Sequence, residues 1–361
     1  MEPSKTKLYT PGPVFVSEET LKNMAAPGDT HRSGWYSELH KEVVERLKKV
    51  MYTENDVYIG TCSGSGFMEA CVSNTLGPED KGLFISIGAF GDRWIDMGKG
   101  YGKNYDTLKI EMGKAAKAED VKKALEGNKY TTIFIQFNET STGVKNPLYE
   151  IAPIVKDSGA LLCVDAVSGL LGMKLEVDKL KIDACLASVQ KCFAIPPGLA
   201  VCSVSEDMLE KSKNTPNKGY YFDLMVLKKY ADRNQTPSTP PIPQIFAMNA
   251  QLDKILNEEG LENRFKRHDK LAQMTRDWAT GKGFEMFSEE GYHSSTVSTM
   301  KNNLNKDVGS FVKKVEKKGY RIVNGYGKLK DKTFRIGHMG DLQESDMTEL
   351  FGVLDETLKE I

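Results

Sequence analysis

The chain lacks both a long hydrophobic run and an excess of charge of either sign. In its 361 residues, no apolar stretch approaches the ~20 residues that a membrane-spanning helix needs, so we expect no membrane partner. The 49 Lys and Arg residues nearly balance the 50 Asp and Glu residues, which gives a net charge of −1. Because such a chain has no overall basic field, we expect no nucleic acid as its partner.

Cysteine and histidine are also few, and they form no metal-binding pattern. The six cysteines include no C-x-x-C pair and the five histidines no H-E-x-x-H motif, which argues against a zinc site. Since the cysteines have mostly apolar neighbours, we expect free thiols in a reducing cytoplasm. The first residues, MEPSKTKLYTPGP, lack the apolar core of a secretory signal, which also favours a cytoplasmic location.

Short apolar runs alternate with amphipathic stretches over much of the chain. Apolar residues make up 40% of the sequence, which is enough for a sizeable core. Continuous apolar strands separated by helices predict a parallel sheet that is covered on both faces, so the expected fold class is α/β. The predicted strands are 57–62, 82–88, 131–137, 160–166, 182–189 and 199–205, with a helix near 147–158 between two of them.

The pattern changes at a proline-rich stretch, NQTPSTPPIPQI (234–245), whose prolines exclude a regular helix interior. A helical pattern follows over 246–280, with a break at Gly260, and a small α+β unit comes last. That unit is predicted to contain a helix at 307–318, strands at 320–323 and 333–337, and a helix at 344–359. We therefore predict an N-terminal segment (1–15), a large domain (16–250) and a small C-terminal domain (251–361).

A turn between a strand and a helix is the first candidate site, because open parallel sheets bind ligands beyond the carboxyl ends of their strands. Its sequence, CSGSGFME (62–69), has small residues and opens a helix, which favours a phosphate ligand. The alternative is a tight turn without a ligand. The turn is no dinucleotide fingerprint, since Glu69 replaces the last glycine, and this weakens a nicotinamide oxidoreductase. The chain has no P-loop motif either.

Three charged residues are the other candidates. Asp165 ends an apolar strand, where it either meets a ligand or caps a helix. Lys191 follows a strand among apolar neighbours, which favours a desolvated nucleophile over a solvated side chain. Arg335 lies in an apolar strand, where it either binds a carboxylate or makes an ion pair. Pyridoxal phosphate needs this set: a helix start for its phosphate, an anion for its ring nitrogen, a lysine for its aldehyde and a cation for the substrate carboxylate.

Seven motifs, in order, resemble those of class V aminotransferases of fold type I, in the branch of the alanine–glyoxylate, serine–pyruvate and archaeal aspartate aminotransferases. They are SGSGFMEA, NETSTG (138–143), VDAVSG (164–169), SVQKCFAIPPG (188–198), STPPIP (238–243), EEGLENRFKRH (258–268) and FRIG (334–337). The resemblance runs over nearly the whole chain, from residue 10 to residue 341. It implies a large domain that binds pyridoxal phosphate on a mostly parallel seven-stranded sheet, and a small C-terminal α+β domain.

The resemblance also implies roles for the residues that carry the chemistry. Lys191 would bind the cofactor covalently and then move the Cα proton of the substrate. Asp165 would pair with the pyridinium nitrogen, and Thr140 would lie near the ring hydroxyl. Arg335 would bind the substrate carboxylate.

The same resemblance implies how the phosphate is held. Ser65, Gly66 and Gln190 would contact it, with help from the amide of Phe67. Thr239 would reach the phosphate of the neighbouring subunit, which implies a homodimer with its active sites at the interface.

Two aromatic positions depart from the family pattern. Phe90 would stack on one face of the cofactor ring and Val167 would pack on the other. Family members often have tryptophan at the position of Phe90, and histidine or threonine at that of Phe67. Phe90 can still stack with less area, and Phe67 can still offer its backbone amide.

The expected activity is an amino transfer from alanine, serine or aspartate to glyoxylate or pyruvate, by a ping-pong mechanism. A lyase or other carbanion chemistry on the same scaffold, and a catalytically inactive homologue, are the alternatives. A cysteine desulfurase is not expected, because that chemistry needs a thiolate late in the chain and the last cysteine is Cys202.

The donor side-chain pocket is expected to include part of the segment HRSGWYSELH (31–40). Its candidates are His31, Arg32, Trp35 and Tyr36. Arg32 either receives an acidic substrate side chain or makes a salt bridge at the surface or an interface.

Overall fold

The computed structural model describes residues 5–361, and its centre is a seven-stranded sheet. Three smaller sheets accompany it among these residues. The strands of all the sheets, in chain order, are β1 (Lys7–Leu8), β2 (Asp56–Gly60), β3 (Gly82–Ser86), β4 (Tyr105–Lys109), β5 (Thr132–Gln136), β6 (Asn138–Glu139), β7 (Val144–Lys145), β8 (Leu161–Asp165), β9 (Ala184–Ser188), β10 (Ala200–Val204), β11 (Val297–Lys301), β12 (Tyr320–Arg321), β13 (Val323–Asn324) and β14 (Thr333–Gly337).

Helices precede, connect and follow these strands. They are α1 (Glu18–Asn23), α2 (Gly34–Met51), α3 (Gly64–Thr75), α4 (Ala89–Gly100), α5 (Ala118–Leu125), α6 (Leu148–Asp157), α7 (Glu206–Asn214), α8 (Leu224–Ala231), α9 (Ile242–Asp253), α10 (Leu261–Gly281), α11 (Val308–Lys317) and α12 (Glu344–Leu358). A π-helical segment, Lys254–Glu259, joins α9 to α10, and a 3-10 turn spans Gly327–Leu329.

The central sheet has the strand order β2-β10-β9-β8-β5-β3-β4. Strand β10 is antiparallel to both of its neighbours, while the pairs among β9, β8, β5, β3 and β4 are all parallel. The expectation of a mostly parallel α/β sheet is therefore confirmed. The carboxyl ends of β8 and β9 lie side by side in this order, next to the beginning of β10.

The sheet separates two hydrophobic cores, because alternate residues of each strand point to opposite faces. In β5, Ile133 and Ile135 pack into one core, and Phe134 packs into the other with Trp94 of α4. Helices thus cover both faces, as continuous apolar strands predict. A third core joins α10, α11 and α12 to β11 and β14.

All six strands predicted from apolar runs are present, whereas β1, β4, β6, β7 and β11 were not predicted. Strand β4 was not predicted because its residues are half-buried or exposed, so the sequence shows no continuous apolar run. The single strand predicted at 320–323 is wrong. It divides into β12, which pairs with β1, and β13, which pairs with β14.

The helix over 246–280 is interrupted at Gly260 as predicted, since Gly260 has a left-handed φ of 78°. Helix α9 begins earlier than predicted, at Ile242, with Pro243 in its first turn. Proline is tolerated there because the first turn leaves N–H groups unpaired in any case. The predicted division at residue 250 stays a prediction, and α9 runs across it.

The N-terminal segment connects the C-terminal elements to the sheet. Strand β1 pairs in parallel with β12, and the Tyr9 hydroxyl donates to the Asp346 carbonyl at 2.8 Å. Farther on, the Val14 N–H donates to the Gln190 carbonyl at 3.2 Å. Among residues 5–361, no helix combines the length and the apolar character needed to cross a membrane.

Close packing between β14 and the N-terminal segment generates a stability prediction. A Cβ added at Gly337 would lie 2.3 Å from the Thr10 carbonyl oxygen, so Gly337→Ala must displace backbone. We expect a loss of about 1–3 kcal/mol in the free energy of unfolding, measured by urea denaturation. Gly352→Ala in α12 is the control, because its added Cβ meets nothing within 4 Å. Equal stability of the two variants would contradict this packing.

Candidate active site

The candidate site lies where α3 begins and where β8 and β9 end. A Cβ added at Gly64 would lie 2.6 Å from Val167 and 3.4 Å from Ser188, so these three chain segments are in contact. Parallel strands place their carboxyl ends at one edge, and a helix start at the same edge adds N–H donors. The phosphate turn and the end of the Asp165 strand, predicted separately, therefore meet.

Asp165 is buried at the end of β8. One of its carboxylate oxygens accepts the Val167 N–H at 2.8 Å. Burial raises the pKa of Asp165 to about 7, although this hydrogen bond and the charge of Lys191 oppose the rise. A buried carboxyl group of this kind gains most from a cationic partner, such as a protonated pyridine nitrogen.

Lys191 stands on the turn that follows β9, and only 7% of it is exposed. The turn closes through a 2.8 Å hydrogen bond from the Ala194 N–H to the Lys191 carbonyl, with Ala194 in the left-handed region. The Lys191 Nζ donates to the Pro11 carbonyl. Burial lowers the pKa of Lys191 to about 8 despite the opposing charge of Asp165. Roughly a tenth of the amine is therefore neutral and nucleophilic at pH 7, against less than about a thousandth for an ordinary lysine.

The first turn of α3 lies within the segment CSGSGFME (62–69), which is predicted to bind a phosphate. A Cβ added at Gly66 would lie 2.6 Å from the ring of Phe222, so the close approach requires glycine. The Phe67 ring is buried, and only its backbone can face a ligand. Gln190 lies beside this turn, where its side-chain oxygen accepts from the Ser188 hydroxyl at 2.6 Å.

Phe90 lies in the first turn of α4 and carries two contacts that the sequence did not reveal. Its ring stacks on Tyr326, with centroids 5.8 Å apart, and the Arg93 guanidinium lies 4.7 Å from its centroid. Arg93 also donates to the Ser65 hydroxyl at 3.1 Å. Tyr326 comes from a distant loop, so no local signal predicted this contact.

Arg335 is buried and also contacts Tyr326, with its guanidinium 5.5 Å from that ring centroid. It donates to the carbonyls of Thr140 at 3.2 Å and Asn324 at 3.3 Å. Burial lowers its pKa to about 10. Among the residues that the structure describes, no carboxylate forms a salt bridge with Arg335. Its charge is thus available to a substrate carboxylate.

Thr140 and Glu139 come from the NETSTG motif. The Thr140 hydroxyl donates to the Ser168 hydroxyl at 2.7 Å. Fully buried Glu139 accepts the N–H groups of Phe90 at 3.0 Å and Gly91 at 3.2 Å. It thereby fixes the start of α4. The motif contained Glu139, but its partners lie 49 and 48 residues away, so its role could not be predicted.

The remaining candidates lie in or near the loop before α9. Thr239 is exposed, and its carbonyl accepts from the Thr61 hydroxyl at 3.5 Å. Arg32 donates to the carbonyls of Thr236 at 2.7 Å and Pro237 at 3.0 Å. These hydrogen bonds attach the Arg32 side chain to the backbone of this loop. Trp35 is exposed, and Tyr36 and His31 pack edge to face.

A family model described as Aminotransferase class-V matches residues 19–316. The chain belongs to the class V aminotransferases. It is 42% identical over 364 residues to an uncharacterized aminotransferase of Methanocaldococcus jannaschii, covering 99% of this chain and 94% of the relative. It is 32% identical to the serine–glyoxylate aminotransferase of Methylorubrum extorquens, covering 95% and 88%.

Solved structures agree with the sequence comparisons. An alanine–glyoxylate aminotransferase from Nostoc sp. superposes with a TM-score of 0.94 at 26% identity, covering 99% of this chain and 96% of the other. The predictions of family and of fold type I are confirmed. This aminotransferase depends on pyridoxal phosphate, and the buried acid, the buried amine and the glycine-lined helix start fit that cofactor. The role of each site residue stays a prediction.

The lowered pKa of Lys191 predicts how the cofactor-free protein takes up pyridoxal phosphate. At pH values below the Lys191 pKa of about 8, each rise of one pH unit makes the neutral amine about tenfold more abundant. The rate of uptake, followed by visible absorbance, should therefore rise with pH and level off above about pH 8. Lys191→Ala is the control, and it should form no covalent band. A rate that still rises tenfold per unit above pH 9, as for an ordinary lysine (about 10.4), would contradict the burial effect.

Proposed function

We propose that this aminotransferase moves the amino group of alanine, serine or aspartate to glyoxylate or pyruvate by a ping-pong mechanism. The observation that carries the proposal is that buried Lys191 lies close enough to Asp165 and Arg335 for both charges to act on it, while the start of α3 contacts Val167 and Ser188 nearby. The names of the Methylorubrum and Nostoc proteins support glyoxylate as an acceptor.

The residues divide the work between binding and proton transfer. Pyridoxal phosphate, when bound, withdraws electrons from the Cα of the amino acid. Asp165 would face its ring nitrogen, and Arg335 would bind the substrate carboxylate through its planar fork. Lys191 would hold the cofactor and, once released by the substrate, move the proton at Cα as a general base.

The phosphate and the ring would be held by the elements around them. Ser65, Gly66, Gln190 and the Phe67 amide would bind the phosphate at the start of α3. Phe90, Val167 and Thr140 would contact the ring. Their backbones bond to Glu139, Asp165 and Arg335 respectively. Glu139 supports this arrangement because it fixes the turn that carries Phe90.

The assembly and compartment belong to the same proposal. Thr239 is exposed on this chain, which supports its contact with the phosphate of a second subunit in a homodimer. A cytoplasmic enzyme is supported by the six cysteines, all of which are free thiols.

Single-turnover chemistry separates the proposed function from its alternatives. The cofactor-loaded protein, mixed with one donor and no acceptor, should release about one equivalent of 2-oxo acid per site and then stop. Added glyoxylate or pyruvate should restart it. Repeated turnover without an acceptor would show a lyase, and no turnover with any donor would show an inactive scaffold.

Lys191→Ala tests the assigned proton carrier. The variant should still bind pyridoxal phosphate non-covalently but lose transamination by about 10²–10⁴-fold or more, because a positioned general base contributes that much. Lys174→Ala is the control, since Lys174 is a solvated lysine paired with Glu262 at 3.1 Å. Normal turnover by Lys191→Ala would remove Lys191 from the mechanism.

Mixing two variants tests the shared site of the homodimer. Thr239→Val should weaken cofactor affinity roughly tenfold if its hydroxyl binds phosphate. Refolding the Thr239→Val variant together with the Lys191→Ala variant would create hybrid dimers. In each hybrid, one site would combine the Lys191 of one subunit with the Thr239 of the other. Visible absorbance at limiting cofactor should then exceed that of either variant alone. No gain, or a monomer in sedimentation, would contradict a site completed by a partner.

A further inference from the structure

A buried arginine in α10 reaches the backbone of the turn that carries Lys191. The Arg264 side chain is only 1% exposed, and its Nη2 donates to the Cys192 carbonyl at 2.5 Å. Its Nη1 contacts Glu259 at 2.8 Å and Asp341 at 3.2 Å. One guanidinium thus connects the residue after Lys191 to two carboxylates from other segments.

The segment after β14 contacts the same turn directly. A Cβ added at Gly340 would lie 3.1 Å from the Cβ of Ala194, which closes the Lys191 turn. The Gly340 N–H donates to His268 Nε2 at 3.2 Å, and His268 Nδ1 contacts the Arg264 carbonyl at 2.8 Å. Arg264 and Gly340 therefore hold the turn at two of its residues.

Asp341 links this cluster to the strand of Arg335. It lies shortly after β14, and the amide of Gln251 in α9 donates to both of its oxygens at 2.9 Å. Burial alone would raise the pKa of Asp341, but the charge of Arg264 and this hydrogen bond hold it below its usual value. Asp341 is therefore charged at neutral pH, as an ion pair with Arg264 requires.

We propose that Arg264 is a positioning residue that sets the Lys191 amine relative to Asp165 and Arg335. The inference rests on the proposed function, and it extends that function to a residue that touches neither substrate nor cofactor. Its physical basis is the planar guanidinium, which donates in several fixed directions at once. A shift of the Cys192 carbonyl would move Lys191, and a reacting amine tolerates little displacement.

The chain contains a second arginine with the same kinds of partner, none of which belongs to the Lys191 turn. Arg46 of α2 contacts Glu42 at 2.6 Å, Asp253 at 2.9 Å and the Asn249 carbonyl at 2.8 Å. It too joins two carboxylates to one backbone carbonyl, but that carbonyl belongs to α9. Arg46, whose side chain is 18% exposed, is therefore the control for an arginine that joins two carboxylates to a backbone carbonyl without touching the Lys191 turn.

The experiment compares Arg264→Gln and Arg264→Lys with Arg46→Gln and Arg46→Lys, all loaded with pyridoxal phosphate. Three quantities are measured: Tm, kcat and KM for the best donor, and the pH midpoint of the visible absorption band. We expect Arg264→Gln to lower kcat about tenfold or more while KM changes less than about twofold. We also expect its band midpoint to move by about half a pH unit or more.

Arg264→Lys should recover part of kcat and of the midpoint, because it keeps the charge but loses the fork. The Arg46 variants should lose Tm without changing either quantity. If Arg264→Gln does not fold, Arg264→Lys decides by the same two readouts. Unchanged kcat and midpoint in the Arg264 variants would overturn the inference and leave an ordinary ion pair. A wild-type protein without a visible band would instead overturn the proposed function itself.

Discussion

The removal of water from Lys191 and Asp165 is the constraint on which the active site depends. Burial works on the two groups in opposite directions, since it lowers the pKa of the amine to about 8 and raises that of the carboxyl to about 7. Neither charge is fully stabilised by the protein alone. A cofactor with a basic ring nitrogen and an aldehyde satisfies both groups at once. The buried pair is therefore costly for the protein without its cofactor and favourable with it.

This constraint explains why the surrounding elements are so tightly specified. The Lys191 turn is bounded by the N-terminal segment through Pro11 and by the C-terminal elements through Arg264 and Gly340. Glu139 similarly fixes the start of α4 through two backbone N–H groups. Each contact comes from a different part of the chain. The site is thus built where the large sheet meets the N-terminal segment and the C-terminal elements, rather than by the sheet alone.

The sequence predicted what is encoded locally. Apolar runs located six strands of the central sheet, and residue type with strand position singled out Asp165, Lys191 and Arg335. Contacts made over long sequence distances were missed, as with Tyr326 on Phe90 and the N–H partners of Glu139. Strand β4 was missed because an edge strand is half-exposed and shows no continuous apolar run. Arg264 stood within a recognised motif, but only the folded chain shows which carbonyl it contacts.

The pairing of strand β1 with β12 has a consequence for the order in which the protein can fold during its synthesis. Tyr9 contacts Asp346, 337 residues later, so this contact can form only after all the residues between them have been synthesised. The central sheet needs no residue beyond Val204 and can assemble earlier during synthesis. Strand β1, which leads into the segment that covers Lys191, therefore pairs only after the central sheet can have formed. Until β12 has been made, a growing chain can hold this segment over Lys191 through contacts such as those of Pro11 and Val14 with the Lys191 turn.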